Sequence, residues 1–178
     1  MRAFSIRLAA PRAGRHCRAM TTQKTLVIPL PSPEATANLA TRLGAELSNG
    51  DCLLLSGIIG AGKTHFARSL IQSQMTVPED VPSPTFTLVQ TYDLPNGELW
   101  HADLYRLSSL DEIEELGLIS AFESAICLIE WPDRLAELTP AAALHISLTL
   151  DPNEDDARIA TLRWSDARWE PLMKQITP

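Results

Sequence analysis

A single α/β domain, with a mixed parallel and antiparallel sheet flanked by helices, is predicted by three features of the chain. The apolar run DCLLLS (51–56) leads into a glycine-rich turn and then into THFARSLIQ, a strand–loop–helix unit of the kind that builds parallel sheet. Two pairs of β-rich runs, 83–94 with 98–107 and 143–150 with 157–164, lie close enough in sequence to form hairpins, which are antiparallel. Leucines at four-residue spacing mark one-faced helices between them. With 178 residues and 45% apolar content, the chain has material for one substantial core and not for two.

Each element has a local cause. KTLVIPL (24–30) is a short apolar strand, and Ser32-Pro33 supplies an N-cap followed by proline at the first helical position. Leu39, Leu43 and Leu47, with Ala40 beside them, form the buried stripe of the helix that follows, which closes at Asn49-Gly50. Phe66, Leu70 and Ile71 share one face of the helix after the glycine turn. SPTFTLVQTYDL and ELWHADLYRL are joined by Pro95-Asn96-Gly97 as a hairpin, and Ser109 with Glu112 reads as a capping box before a short acidic helix. AICLIEW (125–131) is a continuous apolar strand stopped by Pro132. ALHISLTL and ARIATLRW pair across DPNEDD, and SDARWEPLMKQI places Trp169, Leu172, Met173 and Ile176 on one helical face.

Charge and cysteine usage narrow the function. The formal charge is −7, although residues 1–19 contain five arginines and no acid, so the body is more acidic still. Such a surface repels phosphate backbones, which excludes unaided nucleic-acid binding and leaves contact with RNA to a basic partner. Cys17, Cys52 and Cys127 show no CxxC spacing and read as reduced thiols of a cytoplasmic protein, the latter two as small buried hydrophobes in strands. The arginine-rich prefix has the composition of a transit peptide, but the organised pattern begins just after Met20. Residues 1–20 are therefore expected to be an extension outside the domain, which occupies 21–178. No run approaches the ~18 apolar residues of a membrane span.

The chemistry is concentrated in Gly57–Thr64, GIIGAGKT, which fits G-x-x-x-x-G-K-[ST] without mismatch. Glycines are needed where the backbone curls so that successive N–H groups face phosphate oxygens, with the positive end of the next helix beneath them. In that arrangement Gly57, Gly60, Ala61, Gly62 and His65 border the phosphates, Lys63 reaches the β- and γ-phosphates, and the Thr64 hydroxyl ligates Mg²⁺. The chain contains only three lysines, Lys24, Lys63 and Lys174, so Lys63 is not one of a solvated cluster. These features define a P-loop NTPase-like domain with ATP and Mg²⁺ as the expected ligands. Such a site also needs an acid at the end of a neighbouring apolar strand to hold the metal's water shell or polarise water, and Glu130 at the end of AICLIE has that position. Asp103, alternating with His101 and Tyr105 in a strand, is the second acid; His101 itself reads as structural. Ser83-Pro84-Thr85 lies where nucleotide hydrolases keep a loop that senses the γ-phosphate.

GAGKT, SPTFTLVQTY, HADLYRL, EELG and AICLIEWP, in this order and spacing over roughly residues 25–150, resemble the TsaE (YjeE) family, small P-loop ATPases of bacterial tRNA threonylcarbamoyladenosine synthesis. The resemblance implies phosphate and Mg²⁺ roles for Lys63 and Thr64, a metal and water role for Glu130, and a second acid important for activity in Asp103. It further implies a nucleotide-responsive loop at Ser83–Thr85, a family position at Trp131, and an adenine-side contact region at Ser32–Thr36. It implies an accessory ATPase, slow alone and stimulated by its protein partners TsaB and TsaD, touching tRNA only through them. The chain departs from the family pattern at Ile58 and His65, both bordering the phosphate loop. Two other classes fit the P-loop less well. A small-molecule kinase needs lid arginines, whereas Arg106, Arg134, Arg158, Arg163 and Arg168 are scattered. A guanine-nucleotide switch needs an N-K-x-D element, which the sequence lacks.

Overall fold

The computed structural model describes residues 22–177, so the expected extension at 1–20 lies outside the described residues. Its elements are β1 (Lys24–Leu30), α1 (Pro33–Gly44), β2 (Cys52–Ser56), α2 (Lys63–Gln74), β3 (Val89–Leu94), β4 (Gly97–Asp103), α3 (Leu110–Glu115), α4 (Leu118–Ser124), β5 (Ile126–Glu130), β6 (Leu144–Leu150), β7 (Arg158–Trp164) and α5 (Glu170–Ile176). Short 3-10 turns occupy Pro132–Leu138 and Ala167–Trp169.

The seven strands form one sheet in the order β1-β7-β6-β2-β5-β4-β3. The four central strands β6, β2, β5 and β4 run parallel, and the outer pairings β1/β7, β7/β6 and β4/β3 are antiparallel, which gives the mixed sheet expected. Both faces are covered, as parallel strands require. Because side chains alternate along a strand, Leu53 and Leu55 pack with Leu43, Phe66, Leu70 and Trp169 on the side of α1, α2 and α5. Cys52 and Leu54 pack with Ile113, Leu118 and Leu135 on the side of α3, α4 and the 132–138 turn. Cys52 and Cys127 are free and buried, as expected, and face each other in register between β2 and β5, where burial pushes the Cys127 thiol up to about 12; Cys17 lies outside the described residues.

Local signals account for most boundaries. The Ser32 side chain accepts from the Ala35 N–H at 3.2 Å and Pro33 opens α1. Ser109 and Glu112 form the reciprocal capping box of α3. Several expectations need correction. The predicted strand at 83–94 begins only at Val89, because residues 84–87 turn and Leu88 takes a left-handed conformation at φ 65°. The predicted strand at 98–107 ends at Asp103, where Tyr105 and Arg106 turn away. The hairpin loop is two residues, Pro95-Asn96, with Gly97 already in β4 at φ 128°. Leu47 is buried but lies beyond the end of α1. The segment after Ser109 is two helices, broken where Gly117 adopts φ 79°. The last helix starts at Glu170, after a 3-10 turn.

Candidate functional site

The C-terminal ends of β2, β4 and β5 meet at one edge of the sheet, the end at which open α/β sheets place their ligands. β2 hands over to α2 through residues 57–62. Gly57, Gly60 and Gly62 have φ values of 145°, 81° and 103°, conformations that side chains disfavour. A Cβ on Gly57 would also stand 2.5 Å from the Leu148 carbonyl oxygen, so this glycine is fixed by close approach as well as by φ. Ala61 is fully buried, donates to the Ile58 carbonyl at 3.1 Å and accepts from Arg158 Nε at 3.2 Å. The loop is thus tied at its base, while α2 opens directly beyond Gly62 with its first-turn N–H groups free of helical partners.

Lys63 folds back over this loop. Its Nζ donates to the carbonyls of Gly57 at 2.9 Å and Ile58 at 3.1 Å, and lies 4.1 Å from the centre of the Trp131 ring. Burial pushes Lys63 down from the ordinary lysine range, with the Glu130 and Asp103 carboxylates opposing the shift. Trp131 itself is left-handed at φ 60°, uncommon for a bulky residue, and its ring stacks at a tilt on Tyr105 with centroids 4.9 Å apart. The turn after β5 therefore holds an aromatic wall against the lysine.

The two acids are brought together by strand order. β4 lies beside β5 in parallel register with Asp103 opposite Glu130, and both are almost fully buried. Glu130 Oε2 accepts from the Thr64 hydroxyl at 3.1 Å, and Oε1 lies 3.0 Å from His101 Nε2. Asp103 is engaged differently. Its Oδ2 accepts from the Thr85 hydroxyl at 2.7 Å and its Oδ1 from the Tyr105 N–H at 2.9 Å, and Ser83 Oγ lies 2.7 Å from Thr85 Oγ1. The 83–88 loop is closed by Leu88 N–H donating to the Pro84 carbonyl at 2.6 Å.

Lys63, Thr64, Ser83, Thr85, Asp103 and Glu130 line one cavity of about 210 Å³ together with Ile59, Gly60, Tyr105 and Trp131. A second cavity of about 320 Å³ opens on the other side of the glycine loop, lined by Thr36, Gly60, Gly62, His65, Asp156 and Arg158. There His65 Nε2 lies 3.0 Å from the Pro33 carbonyl oxygen, which ties the start of α1 to the phosphate loop's flank, while the Thr36 hydroxyl donates within α1's first turn to the Ser32 carbonyl at 3.4 Å. A larger cavity of about 400 Å³ lies elsewhere, between Met75–Glu79 and Thr91–Asp93, and contains none of the predicted site residues. Every predicted site residue falls on one of the first two cavities except Gly57 and Ala61, which form the base of the loop between them.

Sequence reasoning missed His101. It is fully buried against Glu130, and the only signal was its alternation with Asp103 in the strand, which placed it on the right face without naming its neighbour. Asp156, in the β6–β7 turn, and Arg158, the first residue of β7, were missed because they lie far from the loop in sequence.

The donor set suits a hard cation. A threonine hydroxyl and a carboxylate oxygen 3.1 Å apart are two oxygen ligands of the kind Mg²⁺ takes from protein, the rest coming from water and phosphate. Among the described residues no group of three His, Cys, Asp or Glu side chains forms a cage for a metal by itself.

A central parallel sheet, a glycine loop from β2 into α2, and acids at the ends of the neighbouring strands define an α/β domain of the P-loop type. Comparison with known proteins then places the chain. It belongs to the family of the threonylcarbamoyl adenosine biosynthesis protein TsaE, whose model matches residues 30–159, some way past residue 150, near which the resemblance in sequence ends. The tRNA threonylcarbamoyladenosine biosynthesis protein TsaE of Rickettsia bellii is 39% identical over 133 residues, covering 75% of this chain and 91% of that protein. The protein of the same name from Bacillus subtilis is 34% identical over 147 residues, covering 82% and 90%. The crystal structure of Bacillus subtilis YdiB superposes with a TM-score of 0.68 at 29% identity, covering 86% of this chain and 95% of that one.

Proposed function

We propose that this chain binds ATP with Mg²⁺ and hydrolyses it slowly, as the accessory ATPase of the protein assembly that forms threonylcarbamoyladenosine on tRNA. The observation that carries this reading is the convergence of Lys63, Thr64, Asp103 and Glu130 on one cavity at the mouth of a glycine loop. The family membership supplies the pathway, since the relatives are named for that biosynthesis. The assembly's other subunits, TsaB and TsaD, are the proposed partners, and tRNA is reached through them because the acidic body does not attract it. A cytoplasmic setting fits this role, and no helix among the described residues is long and apolar enough to cross a membrane.

The residues divide the work. The backbone of 57–62 and the first turn of α2 cradle the phosphates, and Lys63 exchanges its loop carbonyls for β- and γ-phosphate oxygens. Thr64 and Glu130 would hold Mg²⁺, which would neutralise charge on the transferred phosphoryl group. Glu130 also orients the attacking water. The nucleoside extends toward Thr36 and His65 in the second cavity. Ser83 and Thr85, tied to Asp103, form the segment whose contacts change with the γ-phosphate and pass nucleotide state to the partners, so that ATP favours and ADP weakens association.

The Glu130→Gln variant tests the division. At saturating Mg²⁺ it is expected to keep ATP-dependent stabilisation in a thermal-shift assay while losing turnover about 100-fold, measured with and without TsaB and TsaD, because the amide fills the space without the carboxylate's charge. Wild-type turnover in this variant under both conditions contradicts the assignment.

A further inference from the structure

Among the described residues six polar or charged side chains are buried, and His101 is the most deeply buried of them, with no exposed surface at all. Its ring cannot touch a nucleotide or a cation. Yet it is not packed as a neutral spacer: Nε2 lies 3.0 Å from Glu130 Oε1, while Nδ1 is buried with no hydrogen-bond partner. A buried polar atom left unpaired is costly, and a sequence that only needed to fill this space between β3 and β5 has apolar residues available. The ring's two nitrogens also fix its tautomer. A proton on Nδ1 would be stranded without an acceptor, whereas one on Nε2 points at the carboxylate, so the hydrogen belongs on Nε2.

The consequence lies in the geometry of Glu130. A glutamate at a strand end has three rotatable bonds and a carboxylate that can present either oxygen. With Oε1 held by His101 from within the sheet, Oε2 is the oxygen left to face Thr64 and the cavity, where it accepts from the hydroxyl at 3.1 Å. The register makes this arrangement available: His101 and Asp103 share one face of β4, Asp103 stands opposite Glu130, and His101 reaches forward from beneath it.

We propose that His101 is a positioning residue, whose Nε2–H locks the Glu130 carboxylate in the orientation that offers Oε2 to the metal and water at the Thr64 side of the cavity. This rests on the proposed ATPase reading of the same site. Losing such a partner of a ligating group costs roughly 10–100-fold in metal affinity or activity in other sites.

The test compares wild type, His101→Leu, which fills the space without a donor, and His101→Gln, whose side-chain amide returns an N–H near the position of Nε2. In His101→Leu, kcat for ATP is expected to fall roughly 10–100-fold with KM within about threefold, and the Mg²⁺ concentration giving half-maximal ATP-dependent thermal stabilisation to rise roughly tenfold or more. His101→Gln is expected to recover most of both. Independently of any variant's folding, the ring ¹⁵N spectrum of wild type is expected to show the Nε2–H tautomer. Wild-type kcat and Mg²⁺ dependence in His101→Leu, no recovery in a folded His101→Gln, or an Nδ1–H tautomer each overturns the proposal. Absence of any Mg-ATP stabilisation in wild type would instead overturn the functional reading, and this inference with it.

Discussion

The loop at 57–62 and the loop at 83–88 face each other across the candidate site, and they are held by different means. At Gly57 a single added carbon would stand 2.5 Å from a backbone oxygen of β6 and 2.9 Å from the Ala61 side chain, and Ala61 is anchored in turn by Arg158. Across the cavity, Phe86 is 82% exposed, and the side-chain tie of its loop to the sheet is the Thr85 hydroxyl on Asp103. One loop is set by backbone packed on backbone, the other by hydrogen bonds, from the Thr85 hydroxyl to Asp103, from Leu88 N–H to the Pro84 carbonyl and from Asp103 N–H to the Leu88 carbonyl, around a left-handed Leu88. The first arrangement suits a cradle that must keep its shape. The second suits a segment that changes contacts at its tip, where Phe86 is exposed and hydrogen bonds rather than packing hold Thr85, since local opening is easiest where little apolar surface is buried.

The contrast can be broken at its strong end first. Gly57→Ala is expected to destabilise the fold by about 3 kcal/mol, the combined cost of a left-handed alanine and a backbone clash, read as a fall of roughly 10 °C in melting temperature. A fall of under two degrees, by roughly the same conversion, would mean that the loop yields and that its rigidity is overstated. At the weak end, Thr85→Val removes the hydroxyl that Asp103 accepts. The expected loss is about 1 kcal/mol, with faster amide exchange confined to 83–88 and unchanged exchange in α2. Exchange that quickens equally in both loops would show them to be one unit. Phe86→Ala should change stability by no more than about 0.5 kcal/mol, because the ring is exposed and meets the Arg106 guanidinium at the surface. A larger cost in urea unfolding would reveal packing that the exposed position does not suggest.

The same two loops explain what was legible in the sequence. GIIGAGKT could be read because its constraint is local: glycines at fixed offsets after an apolar strand specify both the curl and the helix that follows. TFTLV at 85–89 has the β-branched and aromatic residues of a strand, and was read as one. What stops the strand is Thr85 reaching Asp103 and the left-handed turn at Leu88, contacts made through a partner eighteen residues away that no local pattern announces. The acids follow the same rule. Glu130 was visible as a strand-end carboxylate and Asp103 as an acid on one face of a strand expected to run on to residue 107, but that β4 ends at Asp103 and lies next to β5, placing the two opposite each other with His101 beneath, is a property of strand order. Periodicity gives the face of a residue and leaves its neighbour open, which is why His101 was placed correctly and its partner was not named.

The central claim is that Lys63, held at the mouth of the rigid loop, is the cation that receives a nucleotide triphosphate. Calorimetric titration of Mg-ATP into wild type and Lys63→Ala tests it most directly. The account predicts saturable binding to wild type, with affinity reduced at least about 100-fold in a variant that unfolds at a similar temperature, since the phosphates lose their one side-chain cation from the loop. Equal affinity in the two proteins would contradict it.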